Sequence, residues 1–102
     1  MEYTKEFLAT IVHVGILGYP LSKILNIFDI EETNFSIDFY TPGSALHSAY
    51  NKGIDKADYI IDSKLFEMAK EGDLKALEKF EARKRINEAE CKKQQRQSNF
   101  KP

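Results

Sequence analysis

Few side chains in this sequence have the types and spacing that chemistry requires. His13 sits among apolar residues and reads as a hydrogen-bonded core side chain. His47 stands near Ser44 and Ser48, but no motif places a carboxylate to orient it, so it reads as a polar surface residue. There is no glycine-rich phosphate loop, no pair of histidines at metal spacing and no nucleophile motif. The sole cysteine, Cys91, lies in a charged run, where it can neither close an internal disulfide nor belong to a cysteine-based zinc site. These features point away from an enzyme and call for no cofactor or metal. What remains is cationic chemistry. Residues 1–82 carry a net charge of −6 and residues 83–102 a net charge of +5, inside a total of −1. Arg83, Lys84, Arg85, Lys92, Lys93, Arg96 and Lys101 can track phosphates without reading sequence, or dock on an acidic protein surface. Read blandly, the same run is a solubilising helix end. Phe100 is an isolated aromatic within it, of the kind that anchors a peptide in a partner's groove.

The elements that position these groups read as helices. Phe7, Ile11, Val14 and Tyr3 share one face of a first helix over Tyr3–Leu17, which Gly15 and Gly18 weaken toward its end. Gly18, Tyr19 and Pro20 form a turn, with Pro20 suited to the first position of a short second helix, LSKILNIF. Leu21, Ile24, Leu25 and Phe28 make its buried face and leave Ser22, Lys23 and Asn26 toward solvent. Asp29 and Glu32 have capping-box spacing before a third helix, TNFSIDFY, in which Phe35 and Phe39 repeat at four. Two short helices joined by a tight turn outline a helix-turn-helix. Lys23, Thr33, Asn34 and Ser36 are its candidate DNA contacts, while Glu31, Glu32 and Asp38 would oppose a polyanion.

From Ser44, a good N-cap, a long helical pattern runs to Glu71, with small or apolar residues at Leu46, Tyr50, Gly53, Ile54, Ala57, Ile61, Leu65, Met68 and Ala69. Gly72 suits the left-handed residue that ends it, and Asp73 caps a second pattern that continues with Leu74, Leu77 and Phe80. As one helix, Ser44–Glu71 would be about 42 Å long, longer than a domain of this size is wide, so part of it must project and its apolar stripe should meet a partner chain. Leu46, Tyr50, Ile54, Ile61, Leu65, Met68 and Leu77 are the expected oligomer interface. The fold class is thus all-α: a helix-turn-helix-like three-helix unit over residues 1–41, a long helical hairpin over 42–86, and a basic, flexible tail over 87–102.

The order of these parts resembles the small subunit of bacteriophage terminases over roughly residues 15–85. The match is carried by the helix-turn-helix outline, by the pair Tyr50 and Gly53 ahead of a leucine-and-alanine run, and above all by the Gly-Asp-x-x-Ala turn of Gly72, Asp73 and Ala76. The resemblance implies a DNA-packaging factor that assembles into a homo-oligomer through its hairpin, engages double-stranded DNA, and presents it to the large terminase or another packaging or virion protein. The residues also admit a helical adapter or structural protein of a virion or other assembly, binding protein rather than DNA, or a small helix-turn-helix transcription regulator. The apolar run Phe7–Tyr19 is too short to span a bilayer, and Glu2 and Glu6 stand where a signal peptide would be positive, so the expectation is a soluble protein of the cytoplasm, the host's if the chain is viral.

Overall fold

A computed structural model describes residues 3–99, the side chains of Glu32 and of residues 95–99 excepted. The chain is all-α. Among the described residues it forms five helices, α1 (Lys5–Leu17), α2 (Leu21–Phe28), α3 (Glu32–Tyr40), α4 (Ala45–Lys70) and α5 (Leu74–Asn99), and no strand. Two compact units divide it, Met1–Tyr59 and Ile60–Pro102. The boundary expected after residue 41 therefore moves into α4, because the first turns of α4 supply a wall that three short helices lack.

In the first unit, Ile11, Val14, Ile24, Phe35, Phe39, Leu46 and Ala49 form the buried cluster. Phe7 joins it through edge-on contacts with Phe28 and Phe35, both at 6.2 Å between ring centres, and Phe39 packs on Tyr50 at 4.7 Å. Such aromatic pairs add about 0.5–1.5 kcal/mol each to the burial itself. α1 begins at Thr4, whose side chain accepts the Phe7 N–H at 3.0 Å. It ends at Gly18, in the left-handed region, where the N–H groups of Gly18 and Tyr19 donate to the Gly15 and Val14 carbonyls.

Gly15 does more than weaken a helix. A methyl group there would sit 3.1 Å from the Gly53 Cα and closer still to the Tyr50 carbonyl oxygen, so the backbones of α1 and α4 cross in contact at the pair Gly15 and Gly53. His13, expected in the core, is exposed instead, on the side of α1 away from Ile11 and Val14.

The α2–α3 junction also differs in detail. Pro20 is the N-cap of α2 rather than its first residue. Asp29 does not open a capping box: it closes α2 in the left-handed conformation, φ 51° and ψ 48°, and the N-cap of α3 is Glu31, without a side-chain cap. Aspartate is among the few residues besides glycine that adopt this conformation at modest cost.

Ser44 caps α4 as expected. Its side chain accepts the His47 N–H at 3.0 Å and donates to the Asp38 carbonyl. In the second unit, α4 ends with the Gly72 N–H on the Ala69 carbonyl and the Asp73 N–H on that of Met68, at Gly72 φ 102°. Asp73 then caps α5 by accepting the Ala76 N–H at 3.0 Å. Ala76 is buried at this turn, Phe66 meets Phe80 at 5.3 Å, and Asp62 holds Arg83 on one carboxylate oxygen and the Asn87 amide on the other. The flexible tail expected from residue 87 is instead helix as far as Asn99. Its alanines, glutamates, lysines, arginines and glutamines are strong helix formers, and neither glycine nor proline interrupts them.

Candidate nucleic-acid interface and assembly surface

The junction of α2 and α3 has the dimensions of a helix-turn-helix: eight residues of helix, a left-handed residue, two more residues, then nine of helix. Thr33 and Asn34 are exposed, and the 3.6-residue period puts them on one face with Ile37 and Tyr40, both more than 60% exposed. That face carries hydrogen-bonding groups and no charge. Ser36 does not share it, since its hydroxyl is buried and has no hydrogen-bond partner among the described residues. Ser36 is therefore withdrawn from the candidate DNA contacts.

Asp38, expected to face a groove, is half-buried and accepts the Tyr3 hydroxyl at 2.8 Å. Burial, and then the Asp38 carboxylate as hydrogen-bond acceptor and neighbouring charge, push the Tyr3 phenol from 10.0 up to about 12. The fold favours the neutral phenol, so this stabilisation is fully present below pH 10 and is lost as pH rises through about 12. Tyr3→Phe should cost about 1 kcal/mol at pH 7 and lose less stability than the parent between pH 9 and 12, as urea midpoints would record. Equal slopes in the two proteins would remove Tyr3 from this role.

Among the other sequence candidates, Lys23 is exposed with its ammonium 4.1 Å from the Tyr19 ring centre. Arg83 is turned to Asp62 and so is tied into the hairpin rather than free for phosphate. Lys84 lies 4.0 Å from Glu88, while Arg85, Lys92 and Lys93 are exposed. Positions 85, 92 and 96 are spaced by seven and four along α5, which puts them on one side of the helix. The Arg96 side chain, Lys101 and Phe100 lie outside the described residues. His47 is not a plain surface residue, for its Nδ1–H donates to the Phe39 carbonyl at 2.9 Å and fixes that tautomer.

The expected interface residues divide. Leu46 is fully buried and Tyr50 donates its hydroxyl to the Tyr19 carbonyl at 2.7 Å, so both serve the core of the first unit and leave the candidate interface. Ile54, Ile61 and Leu77 are exposed, and Leu65 and Met68 are half-buried. In the second unit Ala76 is the one buried hydrophobic among the described residues, while Ile60, Phe66, Leu74 and Ile86 are exposed along with Ile61 and Leu77.

Sequence reasoning missed a second cationic feature. Lys5, Lys52 and Lys56 rim a groove of about 520 Å³ between α1 and α4, floored by Leu8, Val12 and Ala49. The four-residue step from Lys52 to Lys56 was the only local signal for it. Among the described residues no group of three or more His, Cys, Asp or Glu could hold a metal ion, and no helix is long and apolar enough to cross a membrane. Comparison with family models, curated proteins and solved structures finds no match for this chain.

Proposed function

We propose that this chain is a DNA-binding assembly factor of the small-terminase type, engaging duplex DNA through α3 and presenting it to a packaging motor. The observation that carries the reading is the α2–α3 junction, whose left-handed Asp29 turns the chain into a helix with Thr33, Asn34, Ile37 and Tyr40 outward. Thr33 and Asn34 are short hydrogen-bonding groups at the N-terminal end of that helix, where helix-turn-helix proteins meet base edges, and Ile37 suits a thymine methyl. Phosphate attraction is assigned to Arg85, Lys92 and Arg96 on one side of α5. Assembly is supported by the second unit, where Ala76 is the one buried hydrophobic among the described residues. Ile60, Ile61, Phe66, Leu74, Leu77 and Ile86 stay exposed on this hairpin, and apolar contact with further chains would cover them and add stability.

A salt titration of duplex binding tests this. Neutralising Arg85, Lys92 and Arg96 together should make the slope of log affinity against log salt shallower by about 2.7. Replacing Thr33 and Asn34 by alanine should change affinity little and erase base preference. No duplex binding by the parent at low salt would overturn the reading. It would leave the protein-binding adapter, which the acidity of residues 24–51 favours: four carboxylates and no lysine or arginine.

A further inference from the structure

Between the start of α1 and the α2–α3 turn lies an open groove of about 560 Å³, within the size range of ligand pockets. Its floor is apolar and largely aromatic, formed by Tyr3, Phe7, Ile30 and Phe35, and the exposed Glu31 stands at its rim. Ile30, Glu31, Thr33, Asn34 and Phe35 supply one wall, within a stretch, residues 24–51, that holds four carboxylates and no lysine or arginine. An occupant that fits must bring a ring or similar apolar anchor on a cationic segment. The C-terminal run of the chain is such a segment. Residues 83–102 carry a net charge of +5 and, after Ile86, a single large apolar side chain, Phe100, with Arg96 four residues before it and Lys101 after it.

We infer that this groove is a docking site for the basic run Lys92–Lys101 of a second copy of the chain, with Phe100 as the anchor over Phe7 and Phe35 and the cations against Glu31 and its acidic surroundings. The contact joins two different surfaces, so each copy offers a groove to one neighbour and a run to another, which is a heterologous arrangement that extends into rings or filaments. Thr33 and Asn34 also line the groove. Under the DNA-binding reading, on which only this corollary rests, a docked run and bound duplex compete for one end of α3.

The test is a titration, without DNA, of a fluorescent amidated peptide spanning Lys92–Pro102 with the full-length Phe100→Ala protein, which lacks a competing anchor of its own. Saturable binding that weakens about tenfold or more when the peptide carries Phe100→Ala, and several-fold when the protein carries Glu31→Lys, is the expected result. Light scattering of the full-length parent should show a concentration-dependent association that Phe100→Ala shifts to higher concentration. Binding indifferent to both substitutions would reveal unspecific charge attraction and overturn the inference. Association unaltered by Phe100→Ala would exclude the second copy as occupant. Because no duplex is present, these outcomes stand apart from the fate of the DNA-binding reading; a duplex that binds without displacing the peptide overturns the corollary.

Discussion

Gly53→Ala should destabilise the first unit by about 2 kcal/mol or more, although alanine is the better helix former by about 1 kcal/mol. The sign is set by what the new methyl group meets. It would lie 2.8 Å from both the Gly15 Cα and the Ile16 nitrogen, and nearer still to the Val12 carbonyl oxygen. These are backbone atoms, and no rotamer change moves them aside. α1 and α4 would have to separate, which pulls Ile11 and Val14 away from Leu46 and Ala49 and opens the buried cluster. The lost packing exceeds the gain in helix propensity. A lower urea midpoint at an unchanged m value is the expected record, and Gly15→Ala should behave alike because its methyl group would press on the Tyr50 carbonyl. A midpoint equal to or above the parent's would mean that the two helices do not cross at these glycines.

Leu46→Ala should cost about 3–5 kcal/mol, since Leu46 is fully buried and its truncation leaves a cavity that rigid neighbours fill only in part. That is a large share of the roughly 5–15 kcal/mol that holds a small domain together. The loss should be independent of protein concentration, because the side chain serves the core of its own unit. Ile61→Asp makes the contrast: Ile61 is 45% exposed, so a charge there should leave the first unit's unfolding intact and, under the proposed assembly, act through association alone. If instead Leu46→Ala altered only the association state, with unfolding of the dilute chain unchanged, the assignment of Leu46 to the core would fail.

Much of the helix pattern was legible because its signals are local. Ser44, Gly72 and Asp73 cap and stop helices through groups within four or five residues of themselves, and the limits of α2 follow from its apolar spacing. The contact of Gly15 with Gly53 was not legible, since either glycine alone reads as a weak point in a helix and only the crossing of two distant turns gives them a purpose. The stripe on α4 was visible, but its spacing could not tell which members the chain itself covers. Leu46 and Tyr50 belong to the core while Ile61 stays open, and nothing in their residue types distinguishes them. At the candidate site, Thr33, Asn34 and Ser36 are equally polar in sequence. The turn at Asp29 sets the rotation of α3, and that rotation buries the Ser36 hydroxyl and leaves the other two outside. Arg83 looked like one more phosphate contact because its partner, Asp62, lies 21 residues away.

Under the proposed assembly, the grip of Asp62 on both Arg83 and Asn87 would bear on how the hairpin meets other chains. With one carboxylate oxygen on the guanidinium and the other on the amide, the second half of α4 and the middle of α5 are joined at a point well beyond the Gly72 turn, so the hairpin is fastened at two places along its length. Ile60, Ile61, Phe66 and Leu77 are then held in a set array before any association takes place. Ordering a side chain on binding costs about 0.5–1.5 kcal/mol, and a surface already rigid avoids much of that loss. In the proposed assembly the pairing would act as preorganisation: its effect would fall on the entropy of assembly, and on the choice of one geometry over others, rather than on the strength of any contact between chains.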